Sequence, residues 1–245
     1  MNKLIEDENR LKSGQYIVIR KALPEENIKK LENIAEGLRT IKSRPIYISE
    51  ECKLGRDIAE RYESAGLKFI FKKAMPFINK MIGGQWLILS NKVLLRRTWP
   101  ISEVEARQLG HNASNLTWHQ DSNNKHQNNP MVVLMVSLQN GAGINRPGLS
   151  ILDKRTEKFE GIFGYEGNRV EEFEEEMRGN DGQLKIVNPQ LHRGDLLIFD
   201  GLTFHRTYSR KEMTSHRDAL LIRLIRPEDR KNFPAGNHCM VKLSR

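Results

Sequence analysis

The chain has 245 residues, of which 38% are hydrophobic and 29% are charged, a balance typical of a folded globular protein rather than a disordered one. Its longest apolar run, 131–138, suits a buried strand and is far too short to span a bilayer. An N-terminus with acidic residues and no apolar signal segment, together with two cysteines, favours a cytoplasmic protein without a disulfide framework.

The formal net charge of +9 has two interpretations: an ordinary solvated basic surface, which is the simpler one, or the attraction of an anionic substrate or partner. Its basic residues are scattered in pairs and are not interleaved with aromatic residues, so a nucleic-acid groove is the weaker interpretation. We therefore expect the partner to be a small molecule, either anionic or bound to a carrier. Nothing in the sequence indicates an oligomeric state.

The predicted elements change from helices to strands along the chain. A strand is predicted at 14–19, a helix begins at Pro24, and further helices are predicted at 55–65 and 68–81. After Gly84, β-prone runs occur at 86–89, 92–98, 131–138, 149–152, 184–187, 196–200 and 219–225. This order predicts a mainly β fold with flanking helices, either a β-sandwich or a jelly-roll barrel.

The chain is expected to form a single domain over 1–245. Within it, 1–84 would be a largely helical N-terminal portion, 85–226 the β core and 227–245 a tail. The segment 157–183 contains a run of glutamates and several glycines. It predicts either a short helix with a solvated face or an insertion that closes over an active site.

Three residues have the pattern of a metal site. His119 and Asp121 are two residues apart in a β-like segment, so both side chains would point to one face of a strand. His205 follows the apolar run 196–199 and is expected to end that strand. Two imidazoles and one carboxylate, with the opposite face open, form the ligand set of non-haem Fe(II) oxygenases.

Arg217 follows the polar, turn-like segment 207–216 and opens the next apolar strand. The chain would leave the metal at His205, reverse, and return beside it at Arg217. A buried guanidinium needs an anion, and a carboxylate such as that of 2-oxoglutarate suits it. Alternatively, Arg217 is a surface arginine or caps the turn. Arg223 shares its strand face but lies roughly 20 Å further on, which makes it the poorer anchor.

The sequence also resembles the phytanoyl-CoA dioxygenase family of Fe(II)/2-oxoglutarate-dependent oxygenases. The resemblance runs in order through 13–20, 23–26, 118–121, 148–152, 194–200, His205 and 217–220. It implies a double-stranded β-helix core of the jelly-roll, cupin-like type. It also implies Fe(II) held by His119, Asp121 and His205, and 2-oxoglutarate anchored by Arg217.

The implied reaction uses dioxygen and 2-oxoglutarate to hydroxylate an unactivated C–H bond, with release of succinate and carbon dioxide. The substrate would be a small metabolite of specialised metabolism. The sequence departs from the family at 153–156, where many members have Pro-Gly-Ser-His, and it lacks the usual Pro-Asn after His205. An acyl-CoA substrate is therefore not carried over.

Four further residues are weaker candidates. Thr207 could share the cosubstrate carboxylate with Arg217, and Arg97 could also contact the cosubstrate. Arg96 and Trp118 could contact the substrate, although ordinary packing or exposure would account for all four equally well. The sequence is also compatible with two other functions. One is a cupin-like barrel that uses another metal, and the other is a non-catalytic barrel that binds an anionic ligand or nucleic acid.

Overall fold

The computed structural model describes residues 16–36, 49–53, 66–89, 93–100, 117–122, 131–153, 162–163, 169–179, 182–232 and 238–239. The predicted helix at 55–65 and most of the predicted tail lie outside these residues. The strands are β1 (Ile17–Ile19), β2 (Ser49–Lys53), β3 (Leu87–Leu89), β4 (Leu94–Thr98), β5 (Trp118–His119), β6 (Met131–Ser137), β7 (Gly148–Leu152), β8 (Ile162–Phe163), β9 (Ile186–Val187), β10 (Leu196–Asp200), β11 (His205–Tyr208), β12 (Arg217–Ile225) and β13 (His238–Cys239).

Within the described ranges, three α-helices accompany the strands: α1 (Glu25–Glu36), α2 (Leu67–Ile82) and α3 (Arg169–Glu176). Two glutamates occupy the first turn of α1, where they complement the positive end of the helix dipole. A short 3-10 helix follows β12 at Pro227–Asn232. Among the described residues, no helix is both long enough and apolar enough to cross a membrane.

The described strands form two antiparallel sheets. The larger has the order β1-β10-β6-β12-β3-β13, with β4 pairing β12 and β2 pairing β4. The smaller has the order β8-β5-β11-β7-β9. Two facing sheets of this kind make a jelly roll, the double-stranded β-helix of cupin-like proteins. The predicted mainly β fold with flanking helices is thus confirmed.

Strict alternation along β12 separates two hydrophobic cores. Leu220, Ile222 and Leu224 pack in the core that includes α1 and α2. Ala219 and Leu221 face the other way, into the core between the two sheets. Successive side chains of a strand point to opposite faces, so every odd-numbered residue of β12, Arg217 included, is directed towards the smaller sheet.

A third, smaller core lies under α3. Phe173 of α3 is buried and packs against Trp118 and Phe204. Trp118 precedes His119 in β5 and points to the opposite face. The helix predicted in the segment 157–183 therefore covers the outer side of the smaller sheet.

The structure changes two expectations about strands. His205 does not end the apolar strand, because β10 stops at Asp200 and a turn intervenes, in which Asp200 accepts hydrogen bonds from the amides of Leu202 and Thr203. His205 instead begins β11, within a segment whose later residues were predicted as a turn. Near the N-terminus, β1 pairs with β10, so the largely helical portion also contributes a strand to the larger sheet.

Candidate metal centre

The three predicted metal ligands meet between the two sheets. His119 ends β5 and His205 begins β11, and these residues are direct partners in the antiparallel pairing of the two strands. Their imidazole ring centroids are 4.3 Å apart. With Asp121, they place one potential ligand atom each within 4.8 Å of one another. The sequence therefore predicted correctly which residues converge, although Asp121 lies just beyond its strand.

Hydrogen bonds to the backbone orient both histidines. The Nδ1 atom of His119 lies 2.8 Å from the carbonyl oxygen of Thr117, and that of His205 lies 3.0 Å from the carbonyl oxygen of Thr203. Because a carbonyl oxygen only accepts, each Nδ1 carries the hydrogen and each Nε2 keeps its lone pair. This is the arrangement usually found around a bound metal.

Both imidazoles are held in the neutral form. Burial, and next the neighbouring imidazole of His119, lowers the pKa of His205 to about 3. Burial also lowers the pKa of His119 from its ordinary value. Because a metal competes with protons for its ligands, neutral imidazoles suit metal binding.

Asp121 supplies the negative charge of the cluster. Its Oδ1 accepts a hydrogen bond of 2.7 Å from Nη2 of Arg223. Its Oδ2 lies 3.9 Å from Nε2 of His205. Burial is the largest single influence on Asp121 and would raise its pKa, but the charge and hydrogen bond of Arg223, together with the two neighbouring imidazoles, outweigh it and hold that pKa well below its usual range. The carboxylate therefore remains ionised.

Arg217 is a buried cation in the same cavity. Its Nη1 donates to the carbonyl of Gly148 in the smaller sheet at 2.9 Å, and its Nη2 donates to Oγ1 of Thr98 at 3.2 Å. Its Nε is buried and has no hydrogen-bond acceptor among the residues that the structure describes. Burial, with the charge of Arg96 as the second cause, lowers the pKa of Arg217 to about 10, so the guanidinium stays charged at neutral pH.

No carboxylate in the described part of the chain lies within ion-pairing distance of Arg217. Buried charges are normally paired, because removing them from water is costly. Since this guanidinium and the metal ligands line one cavity, the cavity is suited to an anion that binds beside a metal. Arg217 approaches the ligands from the facing sheet, whereas the sequence suggested an adjacent, returning strand.

The cavity is lined by cationic, polar and apolar side chains from both sheets: Arg96, His119, Asp121, Met135, Leu149, Phe199, His205, Thr207, Arg217, Leu221 and Arg223. Of the weaker candidates, Thr207 and Arg96 are thus in the site. Trp118 is not among these residues, because it points to the outer face, where its Nε1 donates to Glu174.

Arg97 was predicted to contact a cosubstrate, but the structure places it on the opposite face of β4 from Arg96. Its guanidinium donates two hydrogen bonds of 2.7 Å to the carboxylate of Asp218, and both side chains are buried. This bidentate pair fastens β4 to β12 on the helix side of the larger sheet. The side-chain alternation of β4, once its bounds are known, separates the two arginines.

Arg223 is the residue that sequence reasoning undervalued. It was set aside because its backbone lies far from Arg217 along the strand. The structure shows it lining the same cavity and bonded to Asp121. The sequence pattern that points to this position is the spacing of six residues between Arg217 and Arg223, which places both side chains on the same face of β12.

No protein-family model and no curated protein sequence matches this chain. The resemblance to the phytanoyl-CoA dioxygenase family therefore rests on the motifs described above. Solved structures, in contrast, do match over most of the chain.

The chain is similar to AviO1 from Streptomyces viridochromogenes Tue57, with 14% identity, a TM-score of 0.57, and coverage of 89% of this chain and 92% of that one. It is similar to EvdO2 from Micromonospora carbonacea var. aurantiaca, with 13% identity, a TM-score of 0.58, and coverage of 98% and 93%. For SnoN, the non-haem alpha-ketoglutarate-dependent epimerase from nogalamycin biosynthesis, the identity is 12%, the TM-score 0.53, and the coverage 89% and 80%.

Two of these proteins have been crystallised with ligands. EvdO2 has been solved with 2-oxoglutarate, and SnoN with Fe3+, alpha-ketoglutarate and nogalamycin RO. At these identities, the similarity establishes a shared fold.

Proposed function

We propose that this protein is an Fe(II)/2-oxoglutarate-dependent oxygenase that oxidises a C–H bond of a small, anionic metabolite. The observation that carries the proposal is the pairing of two features in one cavity. One is a cluster of two neutral histidines and an ionised aspartate, and the other is a buried arginine with no anionic partner in the described part of the chain. The first suits Fe(II), and the second suits a carboxylate that binds next to it.

His119, Asp121 and His205 would hold the iron. Their chemistry fits this metal, because each histidine presents an Nε2 lone pair and Asp121 keeps Oδ2 directed towards His205. When bound, iron, 2-oxoglutarate and dioxygen supply the oxidising power, with succinate and carbon dioxide as the products of the cosubstrate. The protein's part is to orient the substrate and to exclude water.

Arg217 would anchor the cosubstrate through the carboxylate at its far end. The two hydrogen bonds that Arg217 donates fix its guanidinium plane, and the buried Nε remains for an acceptor. Thr207 lines the same cavity and would share that carboxylate. Arg97 would have no contact with the cosubstrate, since Asp218 already takes its guanidinium.

The substrate is proposed to be anionic because Arg96 adds another positive charge to the cavity. Hydroxylation is the expected outcome, in a chain folded as one oxygenase domain. SnoN is described as an epimerase, so the shared fold also supports oxidations that do not leave a hydroxyl group. Trp118 would support the site from behind β5 and would not contact the substrate.

The direct test is the weak visible charge-transfer band expected when Fe(II) and 2-oxoglutarate bind together without oxygen. We expect this band in the wild type, and we expect it to be lost in His205→Ala and in Asp121→Ala. His192→Ala is the matched control, because His192 is exposed and lies outside the cavity. A normal band in both ligand variants would refute the assignment.

The arginines of the cavity favour one alternative, a barrel that binds an anionic ligand or nucleic acid without oxidising it. A barrel that uses another metal is the other alternative. Succinate formation coupled to loss of 2-oxoglutarate separates these functions. Salt-sensitive binding that needs no metal and gives no succinate would support the non-catalytic function.

A further inference from the structure

The three ligand side chains are oriented in two different ways. Each histidine is held by the carbonyl of the residue two positions before it, Thr117 for His119 and Thr203 for His205. Asp121 is instead held by a residue 102 positions away, through the 2.7 Å bond from Arg223. In the described part of the chain, this is the hydrogen bond that fixes the Asp121 carboxylate.

The two partners differ in how firmly their backbones are held. Arg223 lies in β12, which pairs with β6 on one side and with β3 and β4 on the other. Asp121 follows the two-residue strand β5, outside the ladder of the smaller sheet. The bond therefore joins a carboxylate in a loop to the centre of the larger sheet, across the cavity.

The bond also makes the two carboxylate oxygens unequal. Oδ1 is taken by a charged donor, and both side chains are largely buried, with exposed fractions of 11% for Arg223 and 9% for Asp121. Oδ2 is left as the oxygen near Nε2 of His205. A carboxylate held in this way offers a metal one oxygen in one orientation, whereas an unrestrained carboxylate can rotate or bind through both oxygens.

We propose that Arg223 is a positioning residue for the metal centre: it holds Asp121 in the orientation that lets Oδ2 complete the ligand set before the metal arrives. This inference rests on the proposed metal-binding function of His119, Asp121 and His205. Residues that orient metal ligands commonly change metal affinity by about 10- to 100-fold when they are replaced. The effect of Arg223 should fall in that range.

The test is a titration of the full chain with Co(II), without 2-oxoglutarate, followed by the visible absorption of the bound ion. We expect Arg223→Met to bind Co(II) about 10- to 100-fold more weakly than the wild type. Its spectrum should also change, because the carboxylate can then bind in another mode. Arg223→Lys, which keeps a charged donor, should restore part of the affinity.

Arg206→Met is the matched control. Like Arg223, Arg206 lies in a strand and forms an ion pair with a carboxylate, that of Glu174. Unlike Arg223, it lies at the outer face of the smaller sheet, where it stacks on Trp118. This variant should keep the affinity and the spectrum of the wild type. Thermal unfolding of each metal-free variant identifies those that fold.

Wild-type affinity and spectrum in both Arg223→Met and Arg223→Lys would overturn the inference. If Arg223→Met does not fold, the same Co(II) titration is done with Arg223→Lys and Arg223→Gln. Wild-type Co(II) affinity and spectrum in both of these variants would then overturn the inference. Failure of the wild type itself to bind Co(II) would instead overturn the proposed metal centre. The two failures are therefore distinguishable.

Discussion

Replacement of Arg217 by methionine should weaken 2-oxoglutarate binding strongly without loss of the metal. Methionine keeps much of the buried apolar volume and removes the charge. In the metal-free protein, two effects oppose each other. The carbonyl of Gly148 and the hydroxyl of Thr98 lose a donor, but an unpaired buried cation is also removed, which is favourable. The stability of the unliganded protein should therefore change little.

The effect on the ligand should be large. Removing one partner of a buried, hydrogen-bonded charge pair costs about 3–5 kcal/mol. At about 1.4 kcal/mol for each factor of ten, the affinity for 2-oxoglutarate should fall by roughly two to three and a half orders of magnitude.

Thermal unfolding with Mn(II) in place of iron measures this loss without turnover. At 2-oxoglutarate concentrations about 100 times the dissociation constant, the ligand should stabilise the wild type by about 2.7 kcal/mol. For a chain of this size, that raises the unfolding midpoint by about 5–11 °C. Arg217→Met at the same concentration should shift by about 1 °C or less.

Two controls accompany the measurement. Arg206→Met, at the outer face of the smaller sheet, should retain the full shift. Mn(II) alone should stabilise Arg217→Met as it does the wild type, because Arg217 donates to none of the three ligands. A full 2-oxoglutarate shift in Arg217→Met would refute the idea that this buried cation anchors the cosubstrate.

Three further predictions concern stability. Because the pKa of His205 is lowered to about 3 and an unfolded histidine titrates near 6.5, the unfolded chain takes up a proton first as the pH falls. Between pH 7 and 5, protonation of His205 in the unfolded chain should lower the free energy of unfolding of the metal-free protein by about 2 kcal/mol. In His205→Gln, the free energy of unfolding measured with urea should depend correspondingly less on pH. Asp218→Asn removes the carboxylate charge that accepts two hydrogen bonds from the buried Arg97 and should lower the free energy of unfolding by about 3–5 kcal/mol, measured with urea near neutral pH. Burial alone would raise the pKa of Asp218, but the hydrogen bonds from Arg97, with that from His216, hold it well below its usual range. The stability that the wild type has over Asp218→Asn should therefore be lost as the pH falls below about 4 and the carboxylate becomes protonated. Phe173→Ala should cost about 3–5 kcal/mol with Co(II) affinity unchanged, since α3 covers the outer face; a parallel loss of Co(II) affinity would show that α3 also supports the site.

The ligand set could be predicted from the sequence because its signals are local. The spacing of His119 and Asp121 and the apolar strand before His205 are short-range patterns, and the alternation of β12 is equally visible. Together with the order of helices and strands and the resemblance to a known family, they were sufficient to predict the fold class and the three residues that converge. The strand that His205 begins was missed because β11 is short and lies directly after a tight turn.

The pairing of strands could not be predicted in the same way. Whether an arginine of β4 faces the cavity or the helices depends on the register of the strand. A shift of one residue would turn every side chain of β4 to the opposite face. The sequence therefore left Arg96 and Arg97 as equivalent candidates. The structure separates them, with Arg96 in the cavity and Arg97 bound to Asp218.

By itself, the sequence determined the chemical groups of the candidate site and the mainly β character of the segments around them. Only the tertiary structure decided that Arg217 and Arg223, both in one sheet, reach a candidate metal centre whose histidines belong to the other. The physical reason is that these contacts cross the space between two sheets. Their distances depend on how the sheets pack face to face, and no local pattern of residues encodes that packing.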